Sequence, residues 1–130
     1  MLALSRVWPV ALCNIGFICV NDCFFPGVML HAPLSFLPTE DWQVFVTTTV
    51  YISGNASGRF FAQKIITKSP FGIAILMLVQ LGVGLTVLAS AKDISFLEND
   101  PVRFFLRILF GFMAGYLTIC FYVKGMSRTP

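Results

Sequence analysis

Residues 71–91 carry no charged side chain, and this run limits the possible folds more than any other stretch of the chain. A bilayer core is crossed by roughly 20 apolar residues in an α-helix, so a run of this length is a candidate transmembrane span. The whole chain of 130 residues is 57% hydrophobic and only 12% charged. A soluble domain has about twice that charged share. The sequence therefore predicts an all-α integral membrane protein.

Four apolar segments alternate with short polar loops along the chain. They predict one membrane domain, a polytopic bundle of transmembrane helices at about residues 7–30, 43–65, 71–91 and 102–123. Basic residues gather at the ends that would face the cytoplasm, so both termini are expected inside. This topology also accounts for the net charge of +3, and no nucleic-acid partner is expected. The partner is the lipid bilayer, and a plasma membrane is favoured over an organelle.

The second segment carries a stripe of polar side chains inside its apolar run. Helical spacing of three, four and four puts four candidate substrate-binding residues on one face: Thr48, Tyr51, Asn55 and Arg59. A cation at the bilayer centre costs on the order of 3 kcal/mol, so Arg59 is expected to face a cavity. The alternative places Arg59 near the cytoplasmic end of the span, where its side chain reaches the headgroups.

Other spans contain two further candidates for substrate contact, Asp22 and Gln80. Asp22 is an acidic residue inside the first segment, where a charge needs a partner or water. The alternative places it close enough to the outer surface to be wet. Gln80 lies in the middle of the third segment, where its amide would hydrogen-bond a neighbour or a substrate.

Small residues predict the faces on which helices pack closely. They recur at spacings of about four in the second and fourth segments, at Ser53, Gly54, Ser57, Gly58, Gly111 and Gly115. In membranes, such spacing lets two backbones approach one another.

Pro26 and two arginines shape the predicted outer ends of the spans. Pro26 is expected to kink or end the first helix, because proline lacks the backbone N–H and clashes with the preceding turn. Arg103 and Arg107 begin the fourth segment, one turn apart. We expect both to extend towards water and to pair with Glu98 or Asp100.

Four short motifs resemble the equilibrative nucleoside transporter family, specifically its seventh to tenth spans. They occur in the family's order and spacing, at Phe25-Pro26-Gly27, Gly58-Arg59, Glu98-Asn99-Asp100 and Gly115-Tyr116-Leu117. The resemblance implies a major-facilitator-like fold, of which this chain supplies four of the five spans of the second bundle. It also implies facilitated diffusion of nucleosides or nucleobases by alternating access. The chain would then be a fragment or truncated product whose partner is the missing N-terminal bundle.

The chain departs from the family signature at the position of its acidic residue. Asn55 stands where the family has Asp, Tyr51-Ile52 stands where it has Phe-Asn, and Ala114 replaces the Asn before Gly-Tyr-Leu. The resemblance carries Arg59 over as a substrate contact, whereas Asn55 has no charge to pair with it. We hypothesise that Asp22 faces Arg59 across the cavity and supplies the missing charge.

The sequence is compatible with two other functions. One is a small four-span transporter that works as a dimer, with Asp22 as a proton-coupled carboxylate. The other is a structural membrane subunit whose glycine-rich faces serve assembly only. An enzyme is not expected, because the chain has a single His, no Ser/His/Asp set, no phosphate-binding loop and no metal-ligand spacing. No cofactor or metal is expected.

Overall fold

The computed structural model describes residues 2–30, 33–67, 69–91 and 99–126, and this part of the chain is all-helical. The helices are α1 at Leu2–Asp22, α2 at Glu40–Lys64, α3 at Pro70–Ser90 and α4 at Asp100–Met126. The predicted all-α class is confirmed. Helix α1 starts five residues before the predicted first segment, and Glu98 lies outside the described residues.

Two helices are long and apolar enough to cross a membrane, by length and composition. They are Pro70–Ser90 and Asp100–Lys124, and a shorter apolar stretch covers Ala11–Phe25. The apolar stretch of α1 is the shorter one, and the polar stripe interrupts the apolar run of α2, so neither helix meets the same criterion. The four crossings and the major-facilitator-like arrangement therefore stay predictions.

The helix ends follow local sequence signals. The Ser69 hydroxyl accepts a hydrogen bond from the Gly72 N–H at 3.4 Å, and Pro70 occupies the first turn of α3. Helix α2 has acidic residues in its first turn and Lys64 in its last. This distribution complements the helix dipole, whose N-terminal end is positive.

The most extensive contact in the bundle joins α2 and α4 through glycines. A Cβ on Gly54 would lie 2.5 Å from the Ile108 carbonyl oxygen, and a Cβ on Gly58 would overlap the Phe112 carbonyl. Only glycine leaves room for backbones this close. Close packing is thus confirmed for the glycines of the two predicted faces, which pack on one another, whereas Ser53 and Ser57 are exposed. The buried core lies along this seam, with Phe17 of α1 and with Ile73 and Val87 of α3 packed onto it.

The first helix is kinked at Cys23–Val28. Phe25 has extended backbone angles there, φ −125° and ψ 128°. Pro26 accounts for this, because proline pushes the preceding residue out of the helical region. The predicted kink is confirmed. The ring of Phe25 stacks on Tyr51 of α2 with centroids 3.8 Å apart, and the kink thereby packs against α2.

Candidate functional site

A cavity of about 580 Å³ lies between α1 and α2. This volume is within the range of roughly 300–1,000 Å³ typical of small-molecule sites. Its polar lining consists of Asn21, Asp22, Tyr51, Asn55, Arg59 and Thr118. Four of the six predicted site residues are therefore brought together.

Three of the four residues of the polar stripe line the α2 wall of the cavity. Tyr51, Asn55 and Arg59 follow one another at a spacing of four, so they line the same face. Tyr51 is buried, Asn55 is half-buried and Arg59 is exposed. The wall thus runs from the protein core to an accessible guanidinium.

Tyr51 is fixed from the α1 side by two contacts. The Asn21 amide donates a hydrogen bond to the Tyr51 hydroxyl at 2.8 Å, and the hydroxyl donates to Asn21 Oδ1 at 3.1 Å. The Phe25 ring stacks on the Tyr51 ring with only 10° between their planes. The hydroxyl of a buried tyrosine needs a hydrogen-bond partner, and Asn21 is that partner here. Asn21 was not predicted as a site residue. Its position next to Asp22, which was predicted, could have indicated it.

Asp22 and Arg59 lie on opposite walls of the cavity, Asp22 on α1 and Arg59 on α2. Both are exposed, and the described part of the chain contains no ion pair between them. We hypothesised that Asp22 faces Arg59 across the cavity, and the two residues do line the same cavity from opposite sides. Within the described residues they do not form a direct ion pair. A carboxylate that only accepts and a guanidinium that only donates thus line one cavity.

Thr48 and Gln80 do not line this cavity. Thr48 is half-buried, and its neighbour Thr47 is the fully buried threonine of α2. Gln80 lines a separate apolar cavity of about 350 Å³ between α1 and α3. It is 2% exposed, and neither amide atom of its side chain has a hydrogen-bond partner in the described structure. Helix α1 lies between the two cavities, and Phe17 lines both.

Arg103 and Arg107 contact backbone carbonyls of other helices and loops. Arg107 is 2% exposed, and its Nη2 donates to the Met29 carbonyl at 3.1 Å. Arg103 donates to the Pro33 carbonyl at 2.8 Å and to the Ser90 carbonyl at 3.0 Å. Carbonyls at helix C-termini lack helical donors and carry the negative end of the dipole. The expectation that Arg107 extends into water was wrong.

Asp100 joins the loop before α2 to the start of α4. Its carboxylate accepts from the Ser35 N–H at 3.0 Å and from the Ser35 hydroxyl. Gln43, near the start of α2, brackets the same loop, because its amide bonds both the N–H and the carbonyl of Leu34. These contacts tie the loop to two helices on the side of the bundle where Arg103 and Arg107 lie.

No family model, curated protein or solved structure matches this chain. The resemblance of the four motifs to equilibrative nucleoside transporters therefore stays a prediction. In the structure, residues 25–27 lie at the kink of the first helix, and Gly58 lies in the α2–α4 contact with Arg59 on the cavity. Tyr116 is buried, and its hydroxyl lies 2.8 Å from the Thr67 hydroxyl. The described residues form an all-helical fold with a cavity between α1 and α2 and with two helices apolar enough to cross a membrane.

Proposed function

We propose that the chain is part of a membrane carrier for nucleosides or nucleobases, and that the cavity between α1 and α2 is its share of the substrate site. In this proposal all four helices cross the bilayer, and a plasma membrane is the favoured location. The observation that carries the proposal is the grouping of Asp22, Tyr51, Asn55 and Arg59 around one cavity of suitable volume. In a chain with so few charges, two opposite charges on one cavity are best explained by a polar ligand.

The cavity matches the chemistry of a nucleoside in three respects. Arg59 supplies donors, Asp22 supplies acceptors, and the Asn55 amide supplies both, which suits sugar hydroxyls and the polar edge of a base. Phe17 and Ile52 add apolar surface for the face of a base. Binding and release need no covalent step, so the proposed role is transport without catalysis.

The resemblance supplies the rest of the proposed carrier. A second bundle would cover the open side of the cavity, and rocking of one bundle against the other would expose the substrate to each side of the membrane in turn. In this proposal the partner of this chain is a bundle of further helices, which transport requires. Ligand binding does not require it, because Asp22, Tyr51, Asn55 and Arg59 all belong to this chain. A dimer of this chain and a structural subunit are the two alternatives, and each predicts a different result for the same variants.

The test is equilibrium binding of tritiated adenosine and adenine to the purified protein in lipid nanodiscs. Arg59→Gln should weaken binding about tenfold or more, because hydrogen bonds to charged groups are worth roughly 1.5–3 kcal/mol. Lys64→Gln is the matched control, since it removes a positive charge from the last turn of the same helix without touching the cavity. The control should bind like the wild type.

Two results would overturn the proposal. One is the absence of saturable binding of either ligand, and the other is equal affinity in the wild type and Arg59→Gln. A structural subunit predicts that Arg59→Gln changes only the amount of protein in the membrane. A proton-coupled dimer predicts uptake that depends on a pH gradient and loses that dependence in Asp22→Asn.

A further inference from the structure

We propose that Arg107 is a positioning residue for the cavity. It holds the Met29 carbonyl at 3.1 Å and thereby sets the kink at Cys23–Val28, which places Phe25 against Tyr51. Arg107 touches no part of the cavity itself. The test by adenosine affinity rests on the proposed function. The test by the labelling rate of Cys23 is independent of it.

Arg107 contacts the chain just after the kinked segment. Met29 directly follows the kink, and its side chain is fully buried. Arg107 comes from a helix 78 residues away in sequence and is itself only 2% exposed. A buried cation and a helix-end carbonyl each need a partner, so their hydrogen bond fixes both.

The kink lacks a continuous helical backbone that would fix its angle. Pro26 removes a helical hydrogen bond, and Phe25 leaves the helical region of backbone angles. The angle of the kink is therefore set by contacts outside the segment. Helix α4 supplies two of them, because Phe110 lies one turn after Arg107 and its ring centroid is 5.8 Å from that of Phe24.

The kink is connected to the cavity through Tyr51. Phe25 stacks on Tyr51 at 3.8 Å, and Asn21, two residues before the kink, is hydrogen-bonded to the Tyr51 hydroxyl. Asn21 and Tyr51 both line the cavity. A change in the kink angle would therefore move two cavity residues at once, which is how Arg107 acts on a site it does not touch.

Affinity for adenosine is the first readout. Arg107→Lys keeps the charge but loses the planar donor group, and it should weaken binding about tenfold. Arg103→Lys is the matched control, because Arg103 lies one turn earlier on α4 and donates hydrogen bonds to the Pro33 and Ser90 carbonyls. The control should change affinity by no more than about twofold, even if it lowers thermal stability equally.

A double-variant cycle separates positioning from general damage. If Arg107 acts through Phe25, Phe25→Leu alone should weaken binding by a similar factor. Arg107→Lys should then add little further loss in the Phe25→Leu background. Independent, multiplying losses would overturn the proposal. Phe25→Leu also tests the last link if Arg107→Lys does not fold.

Labelling of Cys23 is the second readout and needs no nucleoside. Cys23 is exposed and lies at the start of the kink. In a Cys13→Ser, Cys19→Ser background, Arg107→Lys should speed the reaction of Cys23 with a maleimide several-fold, whereas Arg103→Lys should not. A faster rate without nucleoside binding in any variant overturns the proposed function but supports control of the kink by Arg107. Nucleoside binding with equal affinities and equal labelling rates in both arginine variants overturns the positioning role.

Discussion

Gly58→Ala tests the close contact of α2 and α4 on which the cavity wall depends. A Cβ at this position would overlap the Phe112 carbonyl oxygen, and it would lie 2.8 Å from the Phe112 carbonyl carbon and 2.9 Å from the Tyr116 nitrogen. All three are backbone atoms, so no side-chain rotation can relieve the clash. The two helices would have to separate.

The expected loss of stability follows from two opposing terms. Overpacking costs roughly 1–3 kcal/mol, and a backbone clash belongs at the upper end of that range. Alanine regains about 1 kcal/mol over glycine in helix propensity. The net loss should therefore be about 2 kcal/mol, which corresponds to a fall in Tm of roughly 6 °C for a chain of this size.

Gly82→Ala is the matched control for this prediction. Gly82 lies in α3, and a Cβ there would have no heavy atom within 4 Å. Only helix propensity should act, so its Tm should stay level or rise by a few degrees. The assay is thermal melting in detergent micelles, followed by far-UV circular dichroism. A Tm for Gly58→Ala at or above that of the wild type would refute the close packing of α2 and α4.

Two further stability predictions use the same assay. Tyr51→Phe keeps the stack on Phe25 but loses the contact with Asn21, so it should cost about 1 kcal/mol, and a variant as stable as the wild type would contradict that contact. Gln80→Leu should stabilise the protein by about 1 kcal/mol or more, because it replaces a buried amide whose atoms have no partner in the described structure, and a lower Tm would show that Gln80 has a partner.

The sequence was sufficient to predict features that depend on local chemistry. Helices α2, α3 and α4 begin and end within about three residues of the predicted segments, because long apolar runs and their polar ends define them. Pro26 was sufficient to locate the kink. The glycine spacing of α2 and α4 identified the residues of the close contact, although it did not show that the two helices pack on one another, and Ser53 and Ser57 lie outside the contact.

Features that depend on distant parts of the chain were not predictable. Arg107 is buried because it meets the Met29 carbonyl, and no local pattern links residues so far apart. Gln80 lines a different cavity from Asp22 because α1 separates α3 from the cavity at α2. The spacing puts Thr48 on the same face of α2 as Arg59. The cavity covers only part of that face and does not reach Thr48.

The most direct test of the account is protection of a cysteine placed in the cavity. Ala56 lines the cavity and is exposed, so Ala56→Cys, with the three exposed native cysteines of α1 and its kink replaced by serine, should react with a water-soluble thiol reagent. Saturating adenosine should slow that reaction several-fold and leave unchanged the rate of Ser53→Cys, an exposed α2 position outside the cavity. An Ala56→Cys rate that adenosine does not change would contradict the claim that a nucleoside occupies this site.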